Sequence, residues 1–344
     1  MTEKAGLYFH IPFCRSKCPY CSFYSVKYES SQAERYVKSL IDEMQKYNGS
    51  FDTIYFGGGT PSMLEPELIG RIIDAAANHF DIDNNAEITV ECNPSKDLKR
   101  DFELYRSYGV NRLSIGMQSA KNEERFALGR AAGQNEVQRT VEYARQAGIN
   151  NISLDVMLAT PKQTLDSLDE TFEFIEKMNV THISAYMLKI EQGTKFFELK
   201  DRLALPDEDT ACDMYLKTVE SLDRIGFEQY EISNFCKKGY ESRHNTKYWT
   251  LTQYLGIGAS AHSYLNGKRF YYDNDFKLVQ DGVGGTDEER VMLGLRLKKG
   301  VEKELIKNDY SKLLKLGYID ENNGRISLTP KGMLISNYII SDLL

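Results

Sequence analysis

Two kinds of hydrophobic pattern alternate along the first 190 residues of the chain. Short apolar runs predict six strands, at residues 6–11, 53–56, 88–91, 112–115, 152–157 and 183–187. Between them apolar residues recur every three or four positions, which predicts helices, and Ser31 with Glu34 predicts a capping box at the start of the first helix. Because parallel strands need such crossover helices, the alternation indicates an α/β fold with a parallel sheet. An open doubly wound sheet and a barrel share this pattern.

Three polar side chains fall at or close to the ends of the predicted strands. They are Glu91, Gln118 and Asp155. In both candidate folds the carboxyl ends of parallel strands form the binding site. We therefore expect these three side chains to contribute to one site.

The pattern changes after residue 190. Residues 206–225 predict one long helix and residues 227–232 a further strand, whereas residues 233–285 are rich in Gly, Tyr and Asn and give no clear assignment. Residues 286–344 predict helices, two short strands joined by a turn at residues 322–324, and a last helix, which together resemble a small winged-helix unit. We therefore expect one domain over residues 1–285 and a second over residues 286–344.

The composition narrows the classes of function. The 344 residues are 41 % hydrophobic and 27 % charged, with a formal net charge of −7. A nucleic-acid-binding protein usually carries a basic surplus, so no nucleic-acid partner is expected. The chain shows no signal-peptide pattern and no apolar run long enough to span a membrane. We therefore expect a cytoplasmic protein, in which six cysteines are ligands, redox groups or core residues rather than disulfides.

The first three cysteines form a compact motif. Cys14, Cys18 and Cys21 have the spacing C-x3-C-x2-C. Three thiolates on one tight loop can bind three irons of a [4Fe–4S] cluster, whose usual ligands are four cysteines. The missing fourth ligand would leave one iron open to a small molecule. A zinc site completed by His10, or three unrelated cysteines, are the alternatives, although structural zinc normally takes four ligands in paired spacing.

Further motifs accompany the cysteine loop in a fixed order. They are Tyr-Phe-His-Ile-Pro-Phe-Cys at 8–14, Gly-Gly-Gly-Thr-Pro at 57–61, Glu-Cys-Asn-Pro at 91–94 and Leu-Ser-Ile-Gly-Met-Gln-Ser at 113–119. With them the chain resembles the radical S-adenosylmethionine superfamily and, within it, the oxygen-independent coproporphyrinogen III oxidase branch. The resemblance implies a partial (β/α)6 barrel similar to a TIM barrel. It also implies that S-adenosylmethionine chelates the open iron, where one electron from the cluster cleaves a C–S bond and forms a 5′-deoxyadenosyl radical.

The resemblance assigns further residues to S-adenosylmethionine. The implied contact residues are Tyr8, Tyr20, Gly58, Gly59, Thr60, Glu91, Gln118, Arg130 and Asp155. Glycine lets the backbone approach a ligand closely, Glu91 is suited to bond ribose hydroxyls or the amino group, and Arg130 can pair with a carboxylate. Because some of these positions serve a second S-adenosylmethionine in the oxidase branch, the number of molecules bound is left open.

Two features separate the oxidases from a second group in this branch. The oxidases carry a fourth cysteine two residues after the third, where this chain has Phe23. The hexapeptide His-Asn-x-x-Tyr-Trp at 244–249, with the segments 230–235 and 257–262, instead resembles the HemW heme chaperones. His244 is the candidate axial ligand for heme, with ring surface from Tyr248 and Trp249. The alternative is that His244 only anchors a loop through hydrogen bonds.

The second resemblance predicts a heme chaperone. Such a protein binds heme and delivers it to an acceptor protein, with the cluster and S-adenosylmethionine regulating or driving transfer and a reducing electron donor as a further partner. The alternative is an enzyme that oxidatively decarboxylates the propionates of coproporphyrinogen III. A nucleic-acid-binding regulator that uses the winged-helix unit is a third candidate, which the acidic charge disfavours.

Overall fold

Strands form the centre of the molecule in the computed structural model, which describes residues 4–344. The strands of this part of the chain are β1 (Ala5–Ile11), β2 (Phe13–Cys14), β3 (Val26–Lys27), β4 (Ser50–Gly58), β5 (Asp81–Cys92), β6 (Arg112–Gln118), β7 (Asn151–Leu158), β8 (His182–Met187), β9 (Glu228–Glu231), β10 (Asn234–Cys236), β11 (Tyr254–Ile257), β12 (His262–Leu265), β13 (Lys268–Tyr272), β14 (Leu278–Val283), β15 (Val301–Glu302), β16 (Ile319–Asn322) and β17 (Arg325–Leu328). The six strands predicted from the first 190 residues are all present.

Helices occupy most of the longer connections between these strands. Their bounds are α1 (Ser30–Met44), α2 (Pro66–His79), α3 (Lys99–Ser107), α4 (Asn122–Ala127), α5 (Gln134–Gln146), α6 (Leu165–Met178), α7 (Lys195–Glu198), α8 (Glu208–Arg224), α9 (Arg243–Trp249), α10 (Asp287–Gly294), α11 (Ser311–Lys315), α12 (Pro330–Leu334) and α13 (Ser336–Leu343). Within residues 4–344, no helix is both long and apolar enough to cross a membrane.

Twelve of the strands form one mixed sheet. The strands β1, β4, β5, β6, β7 and β8 lie side by side in chain order and run parallel. A doubly wound sheet reverses its strand order at a switch point, whereas this order never reverses, so right-handed crossovers place the connecting helices on one face. The outermost strands, β14 and β9, are not paired with each other in the described chain. The predicted partial (β/α)6 barrel is therefore confirmed.

The two faces of these six strands differ in polarity because successive side chains of a strand point to opposite sides. On β1, Leu7 and Phe9 are fully buried, and the helices pack over this outer face with their apolar sides. The buried residues of α2 are Pro66, Leu68, Ile69, Gly70, Ile72, Ile73 and Ala76. The alternate positions instead carry Tyr8 on β1, Tyr55 on β4 and Glu91 on β5, so the inside of the barrel is largely polar.

The start of α1 differs from the prediction. The helix begins at Ser30 after Glu29, and no side chain caps it. The proposed capping box of Ser31 and Glu34 is therefore wrong, because Ser31 already lies within the first turn. Glu34 instead accepts a hydrogen bond from Arg71 of α2 at 2.7 Å, so its side chain ties two helices together.

The segment 233–285, which the sequence pattern left unassigned, closes the amino end of the barrel and extends the sheet. β11 pairs in parallel with β1, and β12, β13 and β14 continue the sheet outward. Helix α9 lies at the amino ends of β4 and β5, where His244 hydrogen-bonds Thr53 and Glu87. The end of the barrel opposite to the carboxyl ends of the strands is thereby covered.

The C-terminal elements form a small sheet of their own, in the order β15, β17, β16. The turn predicted at residues 322–324 joins β16 and β17, and Asn323 and Gly324 have the positive φ angles of 50° and 73° that a tight hairpin needs. The side-chain amide of Gln229 on β9 donates a hydrogen bond to the sulfur of Met333 on α12 at 3.2 Å, so this part packs against the barrel. The division of the chain at residue 285 stays a prediction.

Candidate functional site

A cavity of about 510 Å³ opens at the carboxyl ends of the parallel strands. Many of the residues singled out in the sequence line it, namely Tyr20, Cys21, Gly58, Gly59, Thr60, Glu91, Gln118, Arg130 and Asp155. They come from strand ends and loops spread over more than a hundred positions of the chain. The fold thus collects at one place side chains that the sequence assigned to one ligand.

The cysteine loop forms one wall of this cavity. Cys14, Cys18 and Cys21 are all half-buried free thiols, and the loop is held by hydrogen bonds from the amide of Cys21 to the carbonyl of Cys18 at 3.2 Å and from Tyr28 to Cys14 at 3.1 Å. Burial raises the pKa of the Cys21 thiol. Metal binding removes that proton, because the thiolate is the ligand.

The three thiols fit a cubane cluster better than a single ion. In residues 4–344 no three His, Cys, Asp or Glu side chains are close enough to share one metal ion. A [4Fe–4S] cluster does not require such convergence, because each cysteine binds a different iron. His10, the alternative fourth ligand of a zinc site, is buried, and its Nε2 hydrogen-bonds the carbonyl of Tyr24 at 3.2 Å.

The glycine-rich loop after β4 packs directly on the cysteine loop. The amides of Gly59 and Thr60 donate to the carbonyls of Ile11 and Phe13 at 2.9 and 2.8 Å. A Cβ on Gly59 would lie 2.8 Å from that Phe13 carbonyl, and one on Gly58, whose φ is +113°, would lie 2.6 Å from the ring of His10. Both glycines line the cavity, but the contacts that require them lie within the chain.

Arg130 connects the cysteine loop to the glycine-rich loop. Its Nη2 donates to the hydroxyl of Tyr20 at 2.9 Å, and its Nη1 donates to the side-chain oxygen of Asn93. Asn93 in turn donates to Thr60 at 3.1 Å. The guanidinium therefore holds Tyr20 against the cavity wall and leaves a fixed positive charge beside the cluster loop.

Two carboxylates form the floor of the cavity. Tyr55 donates to Glu91 at 2.8 Å, and Ser114 donates to Asp155 at 2.9 Å. Burial, reinforced by the nearby Asp155, raises the pKa of Glu91 to about 7. Burial likewise raises the pKa of Asp155 to about 6, against the lowering effect of the Ser114 hydrogen bond. Two acceptors with shifted pKa values in one cleft are typical of a functional site.

Gln118 occupies a backbone conformation that side chains seldom adopt. It ends β6 with a φ of 70° and is buried against the cavity. Such left-handed conformations outside glycine cost free energy and cluster at ligand sites. The strained backbone directs an amide into the cavity.

Four of the predicted site residues do not line this cavity, namely Cys14 and Cys18 on the cysteine loop, Tyr8 and His244. Tyr8 packs beneath it, with its ring 6.2 Å from that of Tyr55. His244 lies deeper in the barrel and is fully buried; its Nδ1 hydrogen-bonds Thr53 at 2.7 Å and its Nε2 hydrogen-bonds Tyr248 at 2.9 Å. In this conformation both ring nitrogens are occupied, which is the arrangement of an anchoring histidine.

The mouth of the cavity carries exposed apolar side chains that the sequence reasoning did not assign. Phe23, Tyr186 and Met187 are 66 %, 40 % and 38 % exposed, and all three line the cavity. Tyr186 and Met187 end β8, so the rule that sites form at strand ends could have found them. Asn93 and Ser114 were also missed, although Ser114 lies on the same face of β6 as Gln118.

Comparisons with known proteins place this site in a family. The radical SAM superfamily matches residues 8–175. A heme chaperone HemW from Lactococcus lactis is 33 % identical, over 98 % of this chain and 96 % of the relative. One from Bacillus subtilis is 32 % identical, over 98 % of each. Among solved structures, coproporphyrinogen III oxidase (HemN) from Escherichia coli has a TM-score of 0.84 at 20 % identity, covering 99 % of this chain and 90 % of that one. This last likeness shows the fold alone.

Proposed function

The chain belongs to the HemW family within the radical SAM superfamily, and we propose that it binds heme and passes it to an acceptor protein. The observation that carries this proposal is similarity to HemW heme chaperones over 98 % of the chain. A similarity of that extent includes the cavity at the carboxyl ends of the strands as well as the barrel that supports it.

The family implies a [4Fe–4S] cluster and S-adenosylmethionine, and we assign both to the cavity. Cys14, Cys18 and Cys21 are the ligands of the cluster, which supplies one electron for cleavage of a C–S bond when it is bound. Glu91 and Asp155 accept hydrogen bonds from the hydroxyl or amino groups of the ligand when they are ionised. The rest of the cavity wall around S-adenosylmethionine consists of Gly58, Gly59, Thr60, Gln118 and Arg130.

We place heme at the mouth of the same cavity. A heme needs a flat apolar surface and an axial ligand, and Phe23, Tyr186 and Met187 offer exposed rings and a thioether there. A thioether is among the side chains that ligate heme iron. Lys189 lines the same mouth, where it forms an ion pair with Glu191 at 2.5 Å, and it can exchange that partner for a propionate. Phe23 stands where the oxidases carry a fourth cysteine, so this chain has apolar surface at that position.

His244 does not fit a ligand role in this conformation. An iron ligand needs a free ring nitrogen, and both nitrogens of His244 are hydrogen-bonded inside the barrel. Because the ring is fully buried, heme ligation by His244 would require one of these hydrogen bonds to break and the surrounding side chains to move apart. We therefore assign the axial ligand to the mouth.

The test is a titration of the anaerobically reconstituted protein with hemin, followed by the Soret band. Phe23→Ala should weaken heme binding because it removes apolar surface from the mouth. Phe126→Ala is the matched control, since Phe126 is 64 % exposed and lies outside the cavity lining. Met187→Leu should shift the Soret band, and His244→Ala should leave it in place.

Several outcomes would contradict the proposal. No stoichiometric heme uptake by the wild type rejects the chaperone function. Equal losses in Phe23→Ala and Phe126→Ala reject the mouth as the heme site, and loss of the band in a folded His244→Ala reinstates that histidine as the ligand. Formation of protoporphyrinogen from coproporphyrinogen III under reducing, anaerobic conditions would establish the oxidase alternative instead.

A further inference from the structure

A column of stacked rings joins helix α9 to the floor of the cavity. The imidazole of His244 stacks on the ring of Tyr55, with centroids 5.1 Å apart and planes 27° apart. The hydroxyl of Tyr55 donates to Glu91 at 2.8 Å, and Glu91 lines the cavity. Tyr8 closes the side of the column, 6.2 Å from Tyr55 and 6.3 Å from His244.

His244 is the end of this column farthest from the cavity, and hydrogen bonds hold it in place. His244 shares hydrogen bonds with Thr53 at 2.7 Å and with Tyr248 at 2.9 Å. Its backbone amide donates to Glu87 at 3.1 Å, and its side chain is fully buried. The ring is therefore held in one orientation, and the ring of Tyr55 rests on it.

Two glycines make room for the column. A Cβ on Gly6 would lie 3.1 Å from the His244 ring, and a Cβ on Gly57 would lie 3.0 to 3.1 Å from Tyr55, Glu91 and Tyr8. Neither position has room for a methyl group unless a ring of the column shifts. Interiors packed in this way transmit a displacement to the next side chain.

We propose that His244 is a positioning residue for the S-adenosylmethionine cavity: it fixes Tyr55, and Tyr55 holds the carboxylate of Glu91 toward the ligand. The hexapeptide that carries His244 then acts on the floor of the cavity from the opposite end of the barrel. This inference rests on the assignment of S-adenosylmethionine to the cavity. It does not depend on heme.

The charge state of Glu91 reports on this arrangement. The groups that face Glu91 from neighbouring elements are Tyr8 on β1, Tyr55 on β4, Arg112 on β6, Asp155 on β7, Tyr186 on β8 and Tyr248 on α9. The hydrogen bond from Tyr55 lowers the pKa of Glu91, whereas burial and Asp155 raise it to about 7. If Tyr55 moves away, that pKa rises further, and less of the carboxylate is ionised at neutral pH.

The experiment measures the dissociation constant of S-adenosylmethionine as a function of pH in anaerobically reconstituted protein. In the wild type, binding should tighten as pH rises through about 7, because Glu91 ionises there. In His244→Ala and Tyr55→Phe the midpoint should move up by about one pH unit, so that the ionised fraction of Glu91 at pH 7 falls from about one half to about one tenth. Binding at pH 7 should then be about fivefold weaker and recover at higher pH. His244→Gln, whose amide can still bond Thr53 and Tyr248, should restore most of the affinity.

The matched control is His182, the other histidine that is fully buried among the described residues. Its Nδ1 hydrogen-bonds Ser153 at 2.8 Å and its Nε2 hydrogen-bonds Tyr230 at 2.9 Å. It has no ring contact or hydrogen bond with Tyr55 or Glu91 among the described residues. His182→Ala should lower the stability of the fold and leave the midpoint unchanged.

A second readout separates this inference from the cofactor assignment. Infrared titration of the carboxyl C=O stretch, assigned with Glu91→Gln, follows Glu91 directly in the absence of ligand. A wild type that does not bind S-adenosylmethionine overturns the cofactor assignment, while the infrared titration still tests the column. An unchanged Glu91 midpoint in folded His244→Ala, or an equal shift in His182→Ala, overturns the positioning role.

Discussion

Glu91 is a single side chain whose ionised form suits a bound ligand but lowers the stability of the fold. Its carboxylate lies in the cavity floor near Asp155, and burial together with that neighbour raises its pKa from 4.5 to about 7. An acid whose pKa is higher in the folded chain loses stability as pH rises from its unfolded pKa to its folded pKa. The ionised form that suits a hydrogen-bonding ligand is therefore the form that the fold disfavours.

Replacing this carboxylate should stabilise the protein. In Glu91→Gln the amide oxygen can still accept the hydrogen bond of Tyr55, and the buried charge is gone. At pH 8 without S-adenosylmethionine, we expect its free energy of unfolding to exceed that of the wild type by up to about 3 kcal/mol, with little difference near pH 4.5. Urea unfolding at the two pH values, at matched iron content, measures this.

Glu136 provides a control, because its pKa shift and the expected change in stability have the opposite sign to those of Glu91. Its half-buried carboxylate accepts a hydrogen bond from the amide of Gly133 at 2.8 Å, and that hydrogen bond lowers its pKa. Glu136→Gln should therefore lose stability relative to the wild type at pH 8, and this loss should shrink as pH falls below the ordinary glutamate pKa of 4.5. A Glu91→Gln variant that is less stable than the wild type at pH 8 would contradict the account of the cavity floor.

At the scale of single residues, the sequence identifies which side chains belong to the site better than it identifies what those side chains contact. Glu91, Asp155 and Gln118 could be assigned because they fall at strand ends, and parallel strands bring their carboxyl ends together. The partners of His244 could not be predicted. Thr53 lies 191 positions away, and a lone histidine does not reveal whether its nitrogens will be occupied.

At the scale of elements, the glycine-rich loop after β4 packs against the cysteine loop and the strand before it, and this close packing requires glycine. Gly58 has a φ of +113°, and a Cβ there would lie 2.6 Å from the ring of His10. Positive φ is costly for residues that carry a Cβ. Gly58 therefore packs against the end of β1, just before the cysteine loop, in a contact that tolerates no side chain.

Gly58→Ala should consequently lose the cluster. The substitution combines backbone strain with a clash against the ring of His10, so the end of β1, which leads into the cysteine loop, must shift. Gly239→Ala is the matched control, because Gly239 has a φ of +84° and a Cβ there would meet no atom within 4 Å; it carries strain of about 1 kcal/mol without a clash. Iron analysis after anaerobic reconstitution should show a marked loss for the first variant only, and equal retention would contradict the role of Gly58.

Element boundaries show where sequence patterns succeed. The six parallel strands and the buried face of α2 follow directly from apolar runs and helical spacing, because the outer face of the barrel is continuous and apolar. The segment 233–285 could not be assigned because its strands are three to six residues long and border tight turns. Such short strands pair only because the edge of the barrel sheet is already present.

At the scale of the whole molecule, the two ends of the barrel have different roles. The carboxyl ends of the strands form a cavity with a polar floor and an apolar mouth, whereas α9 covers the amino ends and supports the floor through stacked rings. A variant at the mouth, such as Phe23→Ala, is expected to affect heme, and a variant in the column, such as His244→Ala, is expected to affect S-adenosylmethionine. Effects that do not separate in this way would mean that the two ligands share one site.

The most direct test of the central claim is the electron paramagnetic resonance spectrum of the reduced, anaerobically reconstituted protein before and after addition of S-adenosylmethionine. A [4Fe–4S] cluster held by Cys14, Cys18 and Cys21 should give a signal that changes on addition, because the ligand binds its open iron. A protein that contains zinc and gives no signal, or a cluster signal that S-adenosylmethionine leaves unchanged, would contradict the account.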